Sequence, residues 1–138
     1  DKNWKEFRLI RSWGNVSLIS AVPSVDTGVC SVQTKRFNEA AASLPGDVVM
    51  LSISQDLPFA LTRFCSAEGV ERLRVLSDHV TADFGTSYGV LIKGMRLLAR
   101  SIFVIDREGR LAYMELVPEI TEHPDYEAAL AALRTLTP

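Results

Sequence analysis

Short apolar runs alternate along the chain with segments in which apolar residues recur every three or four positions. The clearest runs are 15–22, 48–54 and 101–106, which have the length and the β-branched content of strands. The second run is almost continuously apolar, which indicates a strand buried on both faces. Strands that alternate with helical segments predict an α/β fold around one central sheet.

Three longer segments have the pattern of helices. The first is predicted to run from Val29 to about Leu44, because Pro45-Gly46 stops it. The second begins at Asp56-Leu57-Pro58, with the proline in its first turn, and the last begins near Pro124. Helical spacing predicts the apolar faces of the first helix (Val29, Val32, Phe37, Ala40, Ala41 and Leu44) and of the last helix (Tyr126, Ala129, Leu130 and Leu133).

Shorter elements complete the order. Residues 74–77 favour a short strand, whereas 82–94 is ambiguous because three glycines interrupt it. A turn at 107–109 joins the strand at 101–106 to a partner strand at 110–115 as a hairpin. This order predicts a central mixed β-sheet flanked by helices, as in thioredoxin-like folds.

Composition excludes several classes of protein. The 138 residues suit a single domain, 1–138, which can bury a core without disulfides. Fifteen Lys and Arg against seventeen Asp and Glu give a net charge of −2, which argues against nucleic-acid binding. The longest uncharged run, 12–25, contains Pro23 and is shorter than the roughly 20 apolar residues that a membrane span needs.

Two cysteines, Cys30 and Cys65, are too few for a disulfide scaffold or for a four-cysteine zinc site. The chain start has no signal-peptide pattern, so we expect a reducing cytoplasm, where a cysteine pair is more often reactive than structural. His79 and His123 lack metal-ligand spacing, and no glycine-rich nucleotide motif occurs. We therefore expect no metal and no other cofactor.

Cys30 follows a predicted strand through a polar turn and lies in the first turn of a helix. A helix N-terminus carries roughly +0.5 of a charge and free N–H groups, both of which stabilise a thiolate. Thr27 can place its hydroxyl beside the sulfur, and Pro23 can shield the site from water. A lone cysteine is also often a buried core residue, so both roles stay open on position alone.

The spacing Pro23-x-x-x-Thr27-x-x-Cys30 resembles the active-site signature of the peroxiredoxins. Several other segments, in the same order, resemble the thiol peroxidase branch of that family. They extend the resemblance over residues 16–133, nearly the whole chain, which makes the signal specific. They are SVDTGVC (24–30), QDLPFA (55–60), RFC (63–65), AEG (67–69), LAR (98–100), ELVPEIT (115–121) and PDYEAAL (124–130).

The resemblance implies a single thioredoxin-like peroxiredoxin domain that is short at its N-terminus relative to the family, and it implies site roles. Cys30 is similar to the peroxidatic cysteine, and Thr27 to the hydroxyl that hydrogen-bonds the sulfur and the peroxide. Pro23 is similar to the residue that shields the site. Arg100 resembles the arginine that stabilises the thiolate and polarises the O–O bond, and Cys65 resembles the resolving cysteine of the same chain.

The activity that the resemblance implies is antioxidant reduction of organic hydroperoxides and hydrogen peroxide. Cys30 would become a sulfenic acid. Cys65 would then form a Cys30–Cys65 disulfide, which thioredoxin would reduce. The two cysteines are predicted on separate helices, so the first turn of one or both must unwind. Family members are commonly homodimers, so we expect a homodimer.

Two other functions fit the same cysteines. A thioredoxin-type disulfide oxidoreductase would need C-x-x-C at the helix start, where this chain has Gln33. A non-enzymatic redox sensor would have the same sequence features at Cys30. Asp26 is predicted to cap the helix, and Arg63 is predicted to be a surface charge. Without the family resemblance, the position of Arg100 just before a strand would favour a solvated residue at the strand edge.

Overall fold

The computed structural model describes residues 1–137. Within that range no helix is both long enough and apolar enough to cross a membrane. Short 3-10 turns occur at Leu9–Ser12 and Ala41–Ser43. The main elements follow in the order β1 (Ser17–Ala21), α1 (Gly28–Ala40), β2 (Val49–Ser54), α2 (Pro58–Glu68), β3 (Arg74–Ser77), α3 (Asp83–Ser87), β4 (Leu91–Ile92), β5 (Leu97–Leu98), β6 (Ser101–Ile105), β7 (Leu111–Leu116) and α4 (Tyr126–Thr135).

The central sheet has five strands in the order β3-β2-β1-β6-β7. Strands β1, β2 and β3 run parallel, while β6 is antiparallel to both β1 and β7. Strand β1 is central, with Leu18 opposite Met50 on one side and Val104 on the other. The mixed sheet that the sequence predicts is therefore confirmed, and its central strand leads directly into α1.

Two apolar clusters cover the two faces of the sheet, because successive strand residues point to opposite sides. One cluster joins Leu18 and Ile102 to residues of α1, α2 and α4. The other joins Ile19 and Phe103 to α3 and to the separate β4–β5 hairpin. Helices thus flank both faces, and the three longer ones share the face that carries the two cysteines.

The predicted elements agree with the structure in most places. Strand β3 spans the predicted residues, and the buried face of α4 is formed by Tyr126, Ala129, Leu130 and Leu133, as predicted. The ambiguous segment 82–94 contains the one-turn helix α3 and strand β4. Gly89 and Gly94 lie there at positive φ angles of 71° and 80°, a region that favours glycine.

The predicted apolar face of α1 is confirmed in part: Phe37 is buried, and Ala40, Ala41 and Leu44 pack half-buried against the same core cluster. Val32 is 46% exposed, and the buried residues are Cys30, Gln33, Thr34, Phe37 and Asn38. Their helical spacing is regular, but most of them are polar. They can be buried because hydrogen bonds satisfy them: Thr34 donates to the Cys30 carbonyl, and the Asn38 side-chain oxygen accepts two backbone N–H groups.

Candidate active site

The loop between β1 and α1 places Cys30 at a helix N-terminus. Pro23 is buried just after the end of β1. Thr27 is the N-cap of α1 and has extended backbone angles. Its hydroxyl oxygen accepts the Cys30 amide at 3.4 Å, while its carbonyl accepts the Ser31 amide at 2.9 Å. Cys30 therefore lies in the first turn, where N–H groups and the helix dipole favour an anion.

The hydroxyl of Thr27 is fixed by a second hydrogen bond, in which it donates to the Ser24 carbonyl at 3.2 Å. The N-cap is thus Thr27 and not Asp26, so the capping role predicted for Asp26 is wrong. Asp26 instead forms an exposed ion pair of 3.8 Å with Arg63, which is a surface charge as predicted.

Arg100 reaches Cys30 from a distant part of the chain. It immediately precedes β6, and its Nη2 atom lies 3.2 Å from the Cys30 sulfur. The two residues are only 2% and 0% exposed. The prediction from position alone, a solvated arginine at a strand edge, is therefore wrong. A buried cation faces the sulfur.

Gln33 holds the guanidinium in place. Its Oε1 accepts Arg100 Nη1 at 2.8 Å, and its Nε2 donates to the Ser20 hydroxyl of β1 at 2.7 Å. In the sequence, Gln33 stands only where a C-x-x-C motif would have its second cysteine. The available signal was its position three residues after Cys30, which places both side chains on one helix face.

The backbone carbonyl of Ile120 completes the arginine site by accepting Nη2 at 2.6 Å. Within the ion pairs of residues 1–137, Arg100 has no carboxylate partner. An uncompensated buried cation is unfavourable, so a negative charge on the adjacent sulfur would stabilise the whole arrangement. Arg100 and the N–H groups at the start of α1 are therefore donors placed to stabilise negative charge at or beside this sulfur.

Cys65 is also buried and is not bonded to Cys30. It lies in the C-terminal half of α2 and packs in the same apolar cluster as Phe37 of α1. Burial raises the pKa of the Cys65 thiol, and the positive charge of Lys2 opposes this with a smaller effect. The structure thus presents two free thiols on two helices over one sheet face, with different surroundings.

Comparison with known proteins gives consistent similarities. The family model described as Redoxin matches residues 2–130. The thiol peroxidase of Bacillus subtilis is 53% identical over 123 residues, which cover 89% of this chain and 73% of that protein. The thiol peroxidase of Staphylococcus haemolyticus is 48% identical over 136 residues, which cover 99% of this chain and 82% of that protein.

Solved structures show the same architecture. A peroxiredoxin-like protein from Aquifex aeolicus superimposes with a TM-score of 0.84 at 42% identity, covering 89% of this chain and 72% of that one. The thiol peroxidase from Chromobacterium violaceum has a TM-score of 0.83 at 21% identity, covering 98% and 79%. At that identity the second match supports the fold alone.

Proposed function

This chain belongs to the redoxin family as one of its thiol peroxidases, and we propose that it reduces hydroperoxides at Cys30. The observation that carries the assignment to Cys30 is the contact of 3.2 Å between Arg100 Nη2 and the sulfur, at the N-terminus of α1. Two positive influences converge there on one buried atom. Such surroundings favour the thiolate, which is the nucleophilic form of cysteine.

In the first step, the Cys30 thiolate attacks one oxygen of the hydroperoxide. The S–O bond forms as the O–O bond breaks, and the second oxygen leaves with the electron pair. That oxygen takes a proton to become water or an alcohol, and Cys30 becomes a sulfenic acid. Arg100 and the N–H groups of α1 are the donors that would stabilise the charge spread over the two oxygens, while Thr27 Oγ1, whose proton goes to the Ser24 carbonyl, would accept the hydrogen of the hydroperoxide.

Pro23 completes the proposed site as the residue that limits access of water. Its buried position at the end of β1, beside the loop that carries Thr27, supports this role. A dry site strengthens the interaction between the sulfur and the guanidinium. It also protects the sulfenic acid from further oxidation by a second peroxide.

In the second step, the Cys65 sulfur attacks the Cys30 sulfenic acid. The S–S bond forms, the S–O bond breaks and water leaves, so both cysteines end in one disulfide. Because Cys65 lies in the C-terminal half of α2, opening of the first turns alone would free Cys30 but not Cys65. We therefore propose that the C-terminal turn of α2, which carries Cys65, unwinds as well.

A dithiol reductant must then restore both thiols by exchange, and we propose thioredoxin in this role. A reductant of this kind works in a reducing compartment, so we also propose a cytoplasmic location. We propose a homodimer as the working form, from the membership of this chain in its family.

The proposal is tested by peroxide consumption coupled to thioredoxin. The unaltered chain should consume peroxide continuously, and Cys30→Ser should abolish the reaction. Cys65→Ser should allow one oxidation per chain and then stop. Mass spectrometry of the peroxide-treated chain should show a loss of two hydrogens within one Cys30–Cys65 linked peptide pair.

Full activity of Cys30→Ser would exclude Cys30 as the reacting residue. A slow reaction with peroxide, together with a protein captured only by the oxidised chain, would favour the redox sensor instead. Disulfide reduction in the absence of peroxide would favour a thioredoxin-type oxidoreductase. The sequence argues against that function, because Gln33 stands where a C-x-x-C motif would have its second cysteine.

A further inference from the structure

Asp56 lies two residues after the end of strand β2 and has no part in the mechanism above. Its carboxylate accepts three hydrogen bonds, and two of them come from the loop that precedes Cys30. Oδ1 accepts the Ser24 hydroxyl at 2.7 Å, and Oδ2 accepts the Val25 amide at 2.9 Å. The third donor is the hydroxyl of Ser54, at 2.8 Å from Oδ2. The carboxylate thus ties the catalytic loop to the end of a neighbouring parallel strand.

The position of Asp56 just before a helix would normally suit a capping residue. However, the N-cap of α2 is Leu57, and no side chain caps that helix. The carboxylate is therefore directed toward the loop of another helix and does not serve its own. Hydrogen bonds to a charged acceptor are stronger than neutral ones, so this arrangement fixes the loop firmly.

From Ser24 the connection continues to the reacting residue. The Ser24 carbonyl accepts both the amide and the hydroxyl of Thr27, each at 3.2 Å. The Thr27 hydroxyl in turn accepts the Cys30 amide at 3.4 Å. The direction of the Thr27 hydroxyl is thus set by Ser24, and the position of Ser24 is set by Asp56. The Val25 amide has no other partner in residues 1–137, so loss of the carboxylate would release this part of the loop.

We propose that Asp56 is a positioning residue for peroxide reduction, whose carboxylate holds the turn from Ser24 to Thr27 so that the Thr27 hydroxyl faces the reacting centre. This inference rests on the proposed function of Cys30 and Thr27. In this role Asp56 affects the rate of the peroxide reaction by way of Thr27 and does not touch the substrate.

The experiment measures the rate constant for oxidation of Cys30 by hydrogen peroxide in stopped flow, in a Cys65→Ser background. Asp56→Asn keeps the shape of the side chain but replaces one acceptor oxygen with a donor group. We expect the peroxide rate to fall about 10- to 100-fold, the range that one charge-assisted hydrogen bond accounts for. Alkylation of the same thiol by iodoacetamide, which does not use Thr27, should change by less than about threefold.

A double-mutant cycle with Thr27→Val provides the decisive readout, because a general loss of structure would not reproduce it. If Asp56 acts through Thr27, the double variant should be no slower with peroxide than Thr27→Val alone. Ser24→Ala, which removes a single donor, should give a smaller loss in the same direction. It also keeps the inference testable if a variant at Asp56 fails to fold.

The matched control is Asp106→Asn. The Asp106 carboxylate accepts the amides of Glu108 and Arg110 in the β6–β7 turn, so its loss perturbs a similar turn outside the site. That variant should retain the unaltered peroxide rate. A full peroxide rate in Asp56→Asn, equal losses with peroxide and iodoacetamide, or additive effects with Thr27→Val would overturn the positioning role. If the parent chain itself shows no oxidation of Cys30 by peroxide, the proposed function fails instead.

Discussion

Arg100 and Cys30 are 70 positions apart in the chain, yet Arg100 Nη2 lies 3.2 Å from Cys30 Sγ. The contact exists because β1 and β6 are neighbours in the sheet, so the segment before β6 meets the loop that follows β1. Both residues are almost completely buried, so water screens their interaction little. The reactivity of the sulfur is thus coupled to the integrity of the central sheet.

Replacement of Arg100 by Met should remove the charged donor while largely preserving buried volume. We expect the rate constant of Cys30 with hydrogen peroxide to fall about 100- to 1,000-fold, as for loss of one transition-state donor. Stopped-flow kinetics on Cys65→Ser chains would measure it. Arg72→Met is the control, because Arg72 is exposed and should leave the rate unchanged. An Arg100→Met chain that reacts at the parent rate would remove the arginine from the mechanism.

Thr27 should show separable effects on stability and on reaction rate. Thr27→Val loses the cap of α1, which should lower the free energy of unfolding by about 1 kcal/mol. It also loses the hydroxyl beside the reacting centre, so the peroxide rate should fall by more than about tenfold. Urea denaturation and stopped flow measure the two effects. Thr27→Ser keeps the hydroxyl and should stay close to the parent in both, and parent-like kinetics in Thr27→Val would contradict the role.

Gln33→Leu should reduce both stability and peroxide rate. The change leaves Arg100 Nη1 and the Ser20 hydroxyl without their partner, and a buried polar group without one costs about 1–3 kcal/mol. The guanidinium would also lose one of the contacts that aim it at the sulfur. Thermal melting and stopped-flow kinetics would show the two losses together.

The control for Gln33 is Asn38→Leu, on the same buried face of α1. Asn38 accepts the backbone amides of Glu71 and Arg72, which lie outside the site. This variant should lose stability to a similar extent but keep the peroxide rate. Equal kinetic losses in both variants would mean that the rate depends only on the general order of α1.

The raised pKa of Cys65 predicts a dependence on alkaline pH. Because burial raises the folded-state pKa above the unfolded one, the folded chain favours the neutral thiol. Its contribution to stability is present below the unfolded-state pKa and is lost as pH rises through the interval up to the folded pKa. The free energy of unfolding of the parent should therefore decline more steeply in that interval than that of Cys65→Ser.

Thiol alkylation tests the same shift directly. In a Cys30→Ser chain, the reaction of Cys65 with iodoacetamide should reach half its maximal rate at a higher pH in the folded than in the urea-denatured state. Coincident midpoints in the two states would show that burial does not affect this thiol.

Much of the fold follows from the sequence because alternating and helical apolar patterns depend on local geometry. The buried face of α4 is an example, since its four apolar residues repeat at helical spacing. Helix α1 breaks this rule. Its buried face contains Gln33 and Asn38 because partners from distant segments satisfy their polar groups, and apolar spacing carries no information about such partners.

The candidate site also combines features that follow from local sequence with features that depend on tertiary contacts. The position of Cys30 in a first helical turn follows from local sequence, and the N-cap at Thr27 lies within the predicted turn. The functions of Gln33 and Asp56 depend on contacts with Arg100 and Ser24, which only the tertiary fold brings together. Only the family resemblance indicates a role in the site for Arg100, because its local sequence suggests an exposed strand edge. Its burial comes from tertiary packing.

The burial of Arg100 without a carboxylate partner has a consequence for the reduction potential of the cysteine pair. In the proposed cycle, conversion of a Cys30 thiolate to a disulfide would make the sulfur neutral, so the guanidinium, which Gln33 and Ile120 enclose in the reduced chain, would lose its counter-charge. The compact fold would thus favour the reduced form of the cysteine pair. Folding would stabilise the reduced form more than the oxidised form. By thermodynamic linkage, the disulfide would then be a stronger oxidant in the folded chain than in an unfolded chain. In the proposed cycle, one enclosed cation would therefore favour the transfer of electrons from the reductant to the oxidised enzyme.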